Sequence, residues 1–191
     1  MIHPSISIVF PNSQQTVSLF SWICKKMDNV DELNEFVAWH LDIINQTINE
    51  ITKTQNINLS NNKIAKDWAV KFLENYEERI RKMRNTSNQV FERFHHLKDT
   101  EFKKIIDENK DRKEEIEELL QIFHNNKGLL IGKIIFAYRE TWFLAKQLTN
   151  PETNLSSVEE YQKWVISNIS NLKETRKSLE KIHEEIKRCK E

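Results

Sequence analysis

Residues 129–148 read LLIGKIIFAYRETWFLAKQL, and this stretch decides the fold. Twenty positions are too many for a strand, and the apolar residues do not alternate as a half-buried strand requires. Wound at helical pitch, Leu129, Leu130, Ile131, Ile134, Ile135, Phe136, Ala137, Tyr138, Trp142, Phe143, Leu144 and Leu148 cover nearly the whole circumference. A helix that is apolar all round is surrounded by other helices. Lys133, Arg139, Glu140 and Lys146 exclude a membrane span, because each charge in hydrocarbon costs several kcal/mol. The sequence therefore predicts a central apolar helix at about 129–148 in an all-α bundle.

Working toward the C-terminus, the loop TNPETN (149–154) leads to Ser157, Val158, Glu159 and Glu160, an N-terminal capping pattern. From there Val158, Val165, Leu172, Leu179 and Ile186 recur every seventh residue, with Tyr161, Asn168, Thr175, Ile182 and Cys189 three positions further on. These are heptad a and d positions, so the last helix is coiled-coil-like, and polar Asn168 and Thr175 would fix its register against one partner. The spacing leaves open whether that partner lies in this chain or in a second protein.

Toward the N-terminus, HNNKG (124–128) is expected to close the preceding helix, with Gly128 in the left-handed position that follows a helix end. That helix starts near Asp99 or Thr100 and carries two apolar clusters separated by DENKDRKEE (107–115). This polar stretch reads as a solvated helical segment, a turn, or a protruding contact arm. A long helix spans about 61–97 through Ile64, Trp68, Phe72, Tyr76, Ile80, Met83, Val90, Phe94 and Leu97, and a break is expected near Asn85–Asn88. Another opens near Asn29 on a stripe from Leu33 to Ile51, after a short amphipathic helix at about 13–27. Residues 1–12, with Pro4 and Pro11, read as an extended arm.

The sum is one helical-bundle domain over 1–191 with five to six helices. Two Gly and three Pro provide too little turn punctuation for a sheet. With 30% charged residues and net charge zero, the surface carries mixed signs and no steering field for nucleic acid or membrane. Cys24 and Cys189 stand at opposite ends of the sequence, which suits reduced thiols in a cytoplasmic protein rather than a disulfide framework. The N-terminus does not read as a signal peptide.

Three constellations bear on chemistry. Glu92 with His95, and Glu180 with His183, each have the Glu-x-x-His spacing that sets two metal ligands one turn apart. Paired motifs of this kind resemble those of ferritin-like di-iron bundles, which implies a di-metal carboxylate site with Glu140 as a further ligand. Arg176 and His183, with six residues between them, have the loose Arg-x4-6-His spacing that resembles the motif of HEPN ribonucleases over those two residues, which implies a cation for phosphate charge and a histidine for the proton. Arg79, Arg81, Lys82 and Arg84 form the densest basic cluster, a candidate nucleic-acid contact. No nucleophile elbow, phosphate-cradling loop or Cys-x-x-Cys motif occurs, and no motif asks for a cofactor.

Surplus apolar surface points elsewhere. Trp39 and Trp164 lie off the main stripes of their helices, Phe20 and Ile23 enrich a short N-terminal helix, and Asn168 and Thr175 mark the seam. These six are the candidate interaction residues. The expected function is non-catalytic protein–protein interaction, as an accessory or scaffold subunit or as a homo-oligomer. The alternatives are a HEPN-like ribonuclease or nucleic-acid binder, and a di-metal bundle.

Overall fold

Four long amphipathic stripes need one another to leave water, and they solve the problem by standing antiparallel. The computed structural model describes residues 14–55, 57, 62–152 and 155–190; the expected arm at 1–12 lies outside them. Helices α1 (Gln14–Cys24), α2 (Asp31–Gln55) and α3 (Asn62–Leu97) come first. One π-helical stretch, Lys98–Phe102, joins α3 to α4 (Lys103–Glu108). A single 3-10 turn, Lys110–Arg112, then leads to α5 (Lys113–Thr149) and α6 (Leu155–Lys190). No strand occurs among the described residues, and none of their helices is long and apolar enough to cross a membrane.

Ion pairs and ring contacts set the topology. Arg93 pairs with Glu35 and Arg79 with Glu50, so α3 runs antiparallel to α2. His95 meets His124 and Tyr76 meets Trp142, so α5 returns along α3. Lys190, at the end of α6, pairs with Asp31 at the start of α2. Helices α2, α3, α5 and α6 therefore form an up-down-up-down bundle, with α4 in the connection from α3 to α5. Both α2 and α5 touch all three other long helices, and the most extensive contact is α2 on α6.

The described positions of the heptad seam pack within the chain. Val158, Leu172, Thr175, Leu179, Ile182 and Ile186 are all buried, against α2, α5 and α1. Short α1 could not persist alone, because an 11-residue helix is marginal in water. It is held by Phe20 and Ile23, and its end is tied down by Arg112 stacked 4.4 Å over the Trp22 ring and by Lys104 Nζ, 2.5 Å from Asp28.

Two expectations about helix ends are corrected. The break at Asn85–Asn88 does not occur: Ser87 faces the core, and the few tenths of a kcal/mol that Asn, Thr and Ser cost a helix are outweighed by burying Met83 and Phe94 beside them. Nor does a helix end at Gly128, which lies inside unbroken α5; no described residue has positive φ. The chain reverses earlier, in the polar 107–115 stretch, where Asn109 leaves helical geometry at φ −133° and ψ 63°. The residues of 129–148 are thus the second half of a 37-residue helix.

Candidate functional site

The sequence-predicted chemical residues do not converge. Glu92 and His95 are exposed on α3, whereas Glu180 and His183 lie on α6, at the opposite corner of the bundle. Glu180 is engaged by Arg176 Nε at 3.4 Å, and buried Glu140 has Arg139 3.6 Å away. Among the described residues no three His, Cys, Asp or Glu side chains gather where a metal ion could sit. Arg176 and His183 lie seven residues apart on one face of α6, and the Arg176 guanidinium is turned to Glu180 between them. Burial, and then the charge of Lys187, hold His183 below its ordinary range.

Three of the four cations in the basic cluster are paired with carboxylates. Arg79 reaches across to Glu50, while Arg81 and Lys82 both engage Glu78, at 2.5 and 3.4 Å; Arg84 is exposed. Arg81's hydrogen bond holds the Glu78 carboxyl below its usual range. With Glu50, Glu77 and Glu78 interleaved among these cations, the face carries mixed signs rather than the continuous basic stripe that a phosphate backbone favours.

The interaction candidates divide. Phe20 and Ile23 are core residues, a correction forced by α6, whose seam uses their surface. Thr175 is buried on the same seam. The side chains of Trp164 and Asn168 lie outside the described residues. Trp39 is half-buried, edge-on to His40 at 4.8 Å, and lines a cleft of about 340 Å³ between α2 and α3.

That cleft holds a network sequence reading missed. Tyr138 of α5 donates its hydroxyl to Glu50 Oε2 at 2.7 Å, and Arg79 of α3 pairs with the same carboxylate. Three helices thus meet on one acid. Burial first, and the Glu50 carboxylate second, push the Tyr138 phenol above its ordinary range. The network provides a neutral phenol and a satisfied ion pair, with no basic group free to take a proton and no activated nucleophile. Its chemical capacity is to orient helices and to offer polar contacts at a cleft wall.

A second unpredicted feature runs along α3 and α5. The rings of Trp68, Phe72, Tyr76, Trp142 and Phe143 follow one another with centroids 5.4, 6.2, 6.1 and 5.0 Å apart. The first four are half-buried, Phe143 is 40% exposed, and Ile64, one turn before Trp68, is 55% exposed. Lys146 Nζ stands 5.3 Å from the Trp142 ring centre. Trp68 and Trp142, on the apolar stripes of their helices, also present ring surface. The signal was in the sequence: 64, 68, 72 and 76 are spaced by four, which overshoots a helical turn by about 40° per step and carries a stripe off the core face.

Set against known proteins, the chain matches no family model, no curated protein and no solved structure.

Proposed function

We propose that this is a non-catalytic cytoplasmic protein that works by binding another protein chain, as an accessory or scaffold subunit or as a self-associating bundle. The observation that carries the reading is the ladder of aromatic rings from Trp68 to Phe143, extended by exposed Ile64. Large rings held rigid by their neighbours lose little conformational entropy on binding and dominate interface energies. Lys146 beside Trp142 gives this apolar strip a polar edge, the arrangement of a protein contact surface. The mixed-sign basic cluster and the scattered Glu and His candidates support contact over catalysis or nucleic-acid binding.

The test compares the wild-type chain with a double variant, Ile64→Glu and Phe143→Glu, both at exposed positions that leave the core intact. Sedimentation velocity over a hundredfold concentration range reads self-association, and crosslinking in the native host reads a partner. Self-association or a crosslinked partner that disappears in the double variant supports the proposal. A wild-type chain that sediments as a monomer throughout and crosslinks to nothing overturns it.

A further inference from the structure

The two cysteines, 165 positions apart in sequence, are brought together by the packing of α1 on α6. Cys24 is the last residue of α1 and is 1% exposed; Cys189 lies in the last turn of α6 and is half-buried. The Cys189 thiol donates to the carbonyl oxygen of Ser21, 3.6 Å away and one turn before Cys24, and both cysteines pack on the same apolar cluster. The surroundings hold them there. Phe20, Ile23 and Ile186 are buried beside them, Lys190 is paired with Asp31, and Trp22 lies under Arg112. These are the only cysteines in the chain, so neither has a competing intramolecular partner.

We propose that Cys24 and Cys189 form a dithiol modification site that a small disulfide of the glutathione class converts to an intramolecular disulfide, bolting the end of α1 to the end of α6. Burial, and then Cys189 itself, raise the Cys24 thiol above its ordinary range, so Cys24 stays protonated and is a poor first nucleophile. Cys189, open to solvent on one side, is the entry point. Its thiolate attacks one sulfur of the small disulfide, whose S–S bond breaks and releases one small thiolate, which takes up the proton that Cys189 lost. Cys24 sulfur then attacks the Cys189 sulfur of the mixed disulfide. The second small thiol leaves with the Cys24 proton. Two electrons and two protons have passed from the protein to the small disulfide, which becomes two thiols.

The consequence lies in which elements are tied. Helix α1 is too short to persist undocked, so this contact ties down one of the less stable elements of the bundle. Oxidation converts it into a covalent closure of almost the whole chain.

The test equilibrates the full chain with mixtures of reduced and oxidised glutathione, folded in buffer and unfolded in urea, with acid quench, intact mass and peptide mapping. A stabilising disulfide is by linkage easier to form in the folded state. Its equilibrium constant should exceed that of the unfolded chain by roughly 30- to 1,000-fold, and the oxidised protein should melt roughly 5–15 °C higher. Cys24→Ala should accumulate the glutathione adduct on Cys189, and Cys189→Ser should leave Cys24 reduced. A folded-state constant no larger than the unfolded one overturns the proposal. So does wild-type protein that ends as the Cys189 adduct or as a disulfide-linked dimer.

Discussion

A single carboxylate shows how one side chain organises three helices. Glu50 sits on α2 just before the last buried residue of its stripe, Ile51, and receives Tyr138 from α5 and Arg79 from α3. Removing the phenol hydroxyl leaves the Glu50–Arg79 pair in place, so Tyr138→Phe should cost about 1 kcal/mol at pH 7, the net worth of one hydrogen bond to a charged acceptor in a half-wet site. The pH dependence is the sharper test. The folded state raises the pKa of Tyr138, so it holds the phenol proton more tightly than the unfolded chain does. That contribution is fully present below the unfolded tyrosine value of about 10 and is lost as pH rises beyond it. Buried Cys24 and half-buried Tyr76, both shifted upward mainly by burial, add losses of the same sign in wild type and variant alike. The stability gap between wild type and Tyr138→Phe, read from urea midpoints, should therefore narrow from pH 10 upward. A gap that stays constant to pH 11 would show that the phenol does not titrate against the fold.

At the scale of the element, α5 shows what was legible and what was not. The all-α class, the antiparallel stripes and the identities of most core residues could be read from apolar periodicity, because burial at a 3.6-residue repeat leaves few alternatives. The end of one helix and the start of the next were misplaced, because Gly128 was weighed as a local stop signal. The phase across it says otherwise: Ile116, Leu120, Leu130, Ile134, Tyr138, Thr141, Ala145 and Leu148 fall on one uninterrupted helical stripe, all buried. Continuity of phase outweighs one glycine, whose cost in a helix is about 1 kcal/mol. The Glu50 network and the Cys24–Cys189 contact were not legible at all, since they join residues 88 and 165 positions apart and no local pattern encodes which stripes face each other. The same glycine economics yields a prediction. Gly132 is exposed in the interior of α5, and a Cβ built there meets nothing within 4 Å. Gly132→Ala should therefore stabilise the fold by about 0.5–1 kcal/mol through helix propensity alone. A lower urea midpoint in the variant would mean that this part of α5 is not continuous helix in solution.

The whole molecule carries a mismatch of lengths. Helix α2 has 25 residues, about 37 Å, whereas α5 and α6 have 37 and 36, about 55 Å each. Beyond the end of α2, helices α3, α5 and α6 close over a small second cluster of Ile57, Ala65, Ala69, Leu144, Ala145, Leu148 and Val158, separate from the main core. Small side chains let three helices approach closely where a fourth is missing, but they bury little area each. The two clusters nevertheless share three continuous helices, so neither can melt without leaving the other's stripes exposed. One cooperative transition follows: far-UV circular dichroism and tryptophan fluorescence should trace the same urea curve, since Trp22 and Trp39 report the main core and Trp68 and Trp142 the far end. Leu179→Ala, fully buried in the main core, should lower stability by about 2–4 kcal/mol and displace both curves equally. Fluorescence that separates from circular dichroism, in wild type or in this variant, would divide the molecule into two folding units and break the link between the aromatic ladder and the bundle beneath it.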